Sequence, residues 1–203
     1  MKGSEDMKRK LSIILLFLLS LTMFTGCGLF KGKDEVISDV KPYRIMNTYD
    51  RSLMSAKRIE VAVYVSDSKV STERLRKYTE EIVNKYKDDY KGVMVSFYDI
   101  AEETYKYSYI PMAVGIWAPK GDFNEALLYD KYTDSNYSIV LKKNKRVYTP
   151  TDEERQSYID YISLKDKSVE ERFKILNIPE EKTAEFLVMI NKVKNRYEEV
   201  VKR

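Results

Sequence analysis

Arg58-Ile59-Glu60-Val61-Ala62-Val63-Tyr64-Val65 opens the stretch that decides the fold, and Val93-Met94-Val95-Ser96-Phe97-Tyr98-Asp99 closes it. In the first string Ile59, Val61, Val63 and Val65 alternate and β-branched residues dominate, which reads as a strand. Between the two strings Ser71 is placed to cap a helix, with Glu73 favourable at its positive start. Leu75, Tyr78, Ile82, Val83 and Tyr86 then recur at helical spacing, and the pattern is followed through Lys91. Glu73–Lys77 and Glu81–Lys85 sit four apart on the charged opposite face. Gly92 reads as the left-handed stop of that helix. Strand, long helix and strand make a β-α-β crossover, which is nearly always right-handed.

Outward from this unit towards the C-terminus, Tyr107 to Ala118 reads as a third strand, interrupted or bounded by Pro111. Pro119, Gly121 and Asp122 turn the chain, and Tyr137-Ser138-Ile139-Val140-Leu141 makes a fourth strand. Thr151 with Glu154 and Ser168 with Glu171 are capping boxes that open two helices. Pro179 suits the first turn of a third, whose apolar residues include Phe186, Leu187, Ile190, Val193 and Tyr197. The expected class is α+β: a small β-α-β-β-β two-layer sandwich of four strands and one long helix over 58–148, then a three-helix tail over 149–203.

Outward towards the N-terminus, residues 27–57 show no sustained period and read as a tether, becoming ordered towards its end. Before it, Met7-Lys8-Arg9-Lys10 is basic and Leu11 to Phe24 is mostly apolar. Fourteen residues in a helix reach about 21 Å, short of the roughly 30 Å hydrocarbon core. Such a stretch is a secretory signal rather than a permanent span, and it starts more cleanly at Met7 than at Met1. Phe24-Thr25-Gly26-Cys27 resembles the lipobox of bacterial lipoproteins, with Phe24 where that family more often has Leu or Val. The resemblance implies a signal peptide over 1–26, cleavage before Cys27, and a diacylglyceryl group on that cysteine. It further implies an extracytoplasmic chain held at the bacterial cell membrane by lipid. Two acyl chains suffice for stable attachment where one is marginal.

The 203 residues hold no histidine and one cysteine, which removes Ser/His/Asp and Cys/His catalysis, HExxH zinc sites and internal disulfides. Thirty-six Lys and Arg against 32 Asp and Glu give only +4, too little for bulk nucleic-acid binding. No P-loop, G-x-S-x-G or G-x-G-x-x-G occurs, and neither a metal nor a cofactor is expected.

Trp117-Ala118-Pro119-Lys120-Gly121-Asp122-Phe123-Asn124-Glu125-Ala126 holds the sole tryptophan. It resembles a segment, W-A-P-x-G-x-aromatic-x-x-A, of a family of uncharacterised bacterial envelope domains. There it follows a β-α-β-β core and precedes a helical tail, entered here through Thr149 to Glu154. That resemblance implies a fold and an envelope setting, and no activity. Trp117 is a candidate ligand platform, or else a packing anchor at a strand end. Tyr105, Tyr107 and Tyr109 alternate, so on a strand they would share one face, exposed for glycans or covering a half-buried sheet. Lys142, Lys143, Lys145 and Arg146 are a candidate anionic contact, or the polar end of a strand. Carboxylates are the only common acid/base groups left; Asp99, Glu102 and Glu103 lie just beyond the second strand and Asp122 and Glu125 beyond the third, and solvated acids at strand ends are the expected reading. The sequence therefore points first to a non-catalytic binding module whose partner is another envelope protein or a cell-wall polymer. Behind it stand a glycan- or solute-binding protein and a carboxylate-dependent hydrolase.

Overall fold

A computed structural model describes residues 43–105 and 109–200. The expected signal peptide, Cys27 and Tyr107 lie outside the described residues. The chain forms a mixed α/β domain around a five-stranded sheet with strands in chain order: β1 (Arg44–Asp50), β2 (Arg58–Tyr64), β3 (Gly92–Tyr98), β4 (Ala113–Pro119) and β5 (Tyr137–Lys143). Strands β2 and β3 are parallel and joined by α1 (Thr72–Tyr86), as the sequence pattern requires; every other neighbouring pair is antiparallel.

Period two divides the sheet into two faces. Ile59, Val61 and Val63 of β2, Val93, Val95 and Phe97 of β3, and Ala113 of β4 point to α1 and meet Leu75, Tyr78, Ile82 and Val83 in one dry core. Ser71 caps α1 by accepting the Arg74 amide at 3.2 Å. The helix packs tightly on the sheet at Gly115, where an added Cβ would stand 2.3 Å from Thr79 Oγ1. On the other face, Ala62 and Tyr98 join Tyr158, Tyr161 and Ile162 of α2 (Asp152–Ser163) and Ile190 and Val193 of α4 (Thr183–Lys194). Between these helices sits α3 (Val169–Ile175). Both capping boxes are formed, Thr151 with Glu154 and Ser168 with Glu171.

Four expectations are corrected. Residues 44–56 are not tether: Arg44–Asp50 is an edge strand paired with β2, and Leu53 and Ala56 close the turn. Its alternation is hidden because the register shifts between Ile45 and Asn47, and a bulge resets the face on which side chains fall. Helix α1 ends at Tyr86, and Gly92 is not its stop but the first residue of β3, where a Cβ would lie 2.8 Å from that of Ala126. The third strand starts only at Ala113, after a 3-10 turn at Ala101–Tyr105. Finally, Tyr197 is not helical. It lies in β7 (Tyr197–Glu198), which pairs with β6 (Lys145–Arg146) and returns the tail to the end of β5.

Candidate functional site

The main sheet has two ends of different chemistry. At the end where β3 stops, Asp99 follows Tyr98 and Glu103 stands on the next 3-10 turn, with side chains almost wholly buried. Arg196, from the loop between α4 and β7, reaches both. Its Nη1 and Nη2 each donate to a Glu103 carboxylate oxygen at 2.7 Å, and its Nε donates to Asp99 Oδ1 at 3.2 Å. Asp99 Oδ2 accepts from Arg146 Nη2 and from the Tyr197 hydroxyl, each at 3.0 Å. Arg155 of α2 donates twice to the Asp99 carbonyl, at 2.8 and 3.0 Å.

Burial alone would push the Asp99 carboxyl up, but Arg196, Arg155 and the Tyr197 hydroxyl together hold it below its ordinary value. Burial raises Glu103, and the Arg196 bonds only partly oppose this. Burial works against the Arg196 charge too, yet the two carboxylates keep its pKa above the ordinary value. Tyr197 is pushed up to about 12, by burial first and the Asp99 charge next. The expectation of solvated acids is overturned for Asp99 and Glu103, and their oxygens are occupied by arginines from three parts of the chain. This arrangement ties the tail to the sheet and leaves neither carboxylate open to a substrate.

The other acids are dispersed. Glu102 is half-buried beside Glu103. Asp122 accepts the Asn124 amide at 2.9 Å in the turn after β4, and Glu125 accepts the Tyr132 hydroxyl. The basic cluster is divided as well: Arg146 belongs to the Asp99 network, and Lys143 donates to the Val70 carbonyl at 3.0 Å. Lys142 and Lys145 remain exposed. Nor do the tyrosines share a strand face, because Tyr105 ends the 3-10 turn and Tyr109 is buried with its ring edge-on to Tyr158.

The opposite end of the sheet carries an open cleft. Trp117 pairs with Ile139 across β4 and β5, so Tyr137 is its diagonal neighbour on the same face. Their ring centroids are 4.5 Å apart, tilted by 36°. Because α1 ends at Tyr86, this aromatic pair is not fully roofed by the helix. Lys87, Asp88 and Lys91 of the following turn, with Asp134, bound a cleft of about 390 Å³ over the two rings. Trp117 rests on the core and stays half-buried, so packing anchor and cleft floor are one residue. Behind it, Lys120 and Gly121 take φ of 55° and 68° in a tight turn. The W-A-P-x-G string thus aims the end of β4 at the cleft.

Sequence reasoning found Trp117 and missed its companions. Tyr137 was legible only as the first residue of a strand, and Lys87 and Lys91 only as helix-face charges. Two aspartates and two lysines leave the cleft without net charge, and two aromatic faces supply its apolar surface. That combination suits a neutral or zwitterionic polar ring better than a polyanion. No match is found for this chain among protein-family models, curated proteins or solved structures.

Proposed function

We propose that this chain is a lipid-anchored, extracytoplasmic, non-catalytic binding module of the bacterial cell envelope, and that the Trp117–Tyr137 cleft is its ligand contact. The observation that carries the reading is the aromatic pair beside four charged side chains in an open cleft. A sugar ring offers what such a cleft takes: C–H faces for the aromatic surfaces and hydroxyl groups for lysine and aspartate. The lipid anchor rests on Gly26-Cys27 and the basic-apolar stretch before them. Against a carboxylate-dependent hydrolase stands the arginine-saturated pair of Asp99 and Glu103. A general acid or base needs a free oxygen within reach of its substrate.

The test uses the fact that Trp117 is the sole tryptophan, so emission excited selectively in the indole reports this cleft and not the 17 tyrosines. Titration with a panel of cell-wall oligosaccharides is expected to shift the emission in a saturable way. Tyr137→Ala should weaken the affinity roughly fivefold, the loss of about 1 kcal/mol of stacking. An emission spectrum unchanged across the panel overturns the glycan reading. The anchor is tested separately by Cys27→Ser, which should abolish incorporation of labelled palmitate.

A further inference from the structure

The β1–β2 hairpin ends in Ser52-Leu53-Met54-Ser55-Ala56-Lys57. Leu53 and Ala56 exchange two main-chain hydrogen bonds at 3.1 Å, which leaves Met54 and Ser55 as the turn residues. Met54 has a φ of 54°, in the left-handed region. The residue is 97% exposed, and Leu53 beside it is 53% exposed. Turn positions of this kind favour Gly, Asn or Asp, which adopt positive φ with little strain and are at ease in water. Methionine is unfavourable on both counts. A residue that serves neither the turn nor its solvation points to a contact made outside the folded domain.

We infer that Leu53 and Met54 seat the hairpin tip in the headgroup region of an anionic bilayer, as a second membrane contact of the chain. The inference rests on the lipid anchor proposed above. Two side chains are too few to hold a free protein at a surface, but a tether at Cys27 makes the second contact intramolecular and raises its effective concentration. The tip is within reach. Sixteen steps of chain from Cys27 to Tyr43 extend to at most about 55 Å, while the eleven steps from Tyr43 to Met54 carry the tip at most about 37 Å from Tyr43. Around the tip, Arg51, Lys57 and Arg58 outnumber Asp50 and Glu60 by one, a sign that suits anionic headgroups. Arg51 is paired with Glu60 at 2.7 Å, so Lys57, which is exposed, carries most of that attraction.

The test uses the full lipidated chain on vesicles of phosphatidylcholine and phosphatidylglycerol that contain headgroup-nitroxide lipid. A bimane label is carried at Ser55→Cys or, as the distant comparison, at Lys142→Cys. Flotation of the protein with the vesicles reads the anchor, and bimane quenching reads the docking. The expected result is flotation in both cases with strong quenching at position 55 and little at 142. The quenching should be lost when Leu53→Ser and Met54→Asn are added, while Tm stays unchanged or rises because the left-handed strain is relieved. Flotation without quenching at 55 overturns the docking and leaves the anchor standing. Quenching that survives Leu53→Ser and Met54→Asn overturns it too, as does a fall in Tm that shows these side chains to be structural. Absence of flotation overturns the anchor and, with it, this inference.

Discussion

The helix-covered face of the sheet and the strand end closed by Arg196 are both dry, and opposite chemistry makes them so. Under α1 the contacts are hydrocarbon: Val61, Val63, Val95 and Phe97 are fully buried, and Leu75 meets them without a charge in the layer. At the Asp99 end, burial is shared by two carboxylates, three guanidinium groups and a phenol, each held by directed bonds. The first kind of core tolerates exchange of one apolar side chain for another of similar volume. The second does not tolerate loss of Arg196, because two buried carboxylates are left behind without the cation they share. The difference teaches which region specifies what. The apolar face drives collapse of the β-α-β unit, while the ionic end fixes where the tail lies.

The largest effect expected follows from that contrast. Among the described residues Arg196 is the cation that touches both carboxylates, and Arg196→Ala should destabilise the domain by about 3–5 kcal/mol, measured by urea unfolding. Its partners decide the interpretation. When Asp99→Asn and Glu103→Gln accompany Arg196→Met, no unpaired charge from that trio remains, and most of the loss should be recovered. If the triple variant is as unstable as Arg196→Ala, the strand end is held by shape rather than by charge, and the contrast with the α1 face disappears.

The apolar face was legible in the sequence, and the ionic end was not, for a physical reason. Val61, Val63 and Val65 announce their face locally, since period two and period 3.6 are properties of neighbouring residues. Asp99 and Arg196 are 97 positions apart, and nothing in either neighbourhood marks the pairing. Arg146, grouped in sequence with Lys142, Lys143 and Lys145, is drawn away from them by Asp99 and Tyr197. Charge runs report composition, whereas pairing depends on where the tail returns. The same limit explains the Trp117 cleft. One ring of its floor was marked by an unusual string, but the other comes from β5, and its walls come from the turn after α1 and from the 3-10 turn at Asp134–Asn136. The bulge in β1 hid a strand whose residues were all in view.

A smaller effect probes a tight point of the apolar face. Gly115→Ala would place Cβ 2.3 Å from Thr79 Oγ1 and 2.5 Å from Thr79 Cγ2. Thr79 is fully buried, and its hydroxyl donates to the Leu75 carbonyl at 2.9 Å, so it cannot turn aside freely. Overpacking here should cost about 1–3 kcal/mol, seen as a lower urea midpoint at unchanged m. Adding Thr79→Ala should return part of that loss, which identifies the clash as the cause. Equal stability of Gly115→Ala and the parent would mean that α1 can lift from the sheet, and that the apolar face is looser than its burial implies.

The smallest effect is a pH profile that sets the two acids of the ionic end against each other. Asp99 has a folded pKa below its unfolded value of about 3.9, so its contribution is complete above that value and is lost as pH falls through the folded pKa. Glu103 has a folded pKa above its unfolded value of about 4.3. Its contribution runs the other way: complete below the unfolded value, and lost as pH rises through the folded one. Acidification from neutrality should therefore first bring a gain from Glu103, and only below about pH 4 a loss from Asp99. Glu103→Gln should delete the first phase and keep the second, whereas Asp99→Asn should flatten the acid limb. The measurement is unfolding free energy across pH 3–7 for the parent and both variants, read as differences so that the remaining carboxylates cancel. Gly115→Ala supplies the control from the apolar face, where the substitution adds no titratable group and its difference from the parent should not vary with pH. A Gly115→Ala difference that followed pH as Asp99→Asn does would show that the two regions unfold through one shared charge effect rather than two separate chemistries.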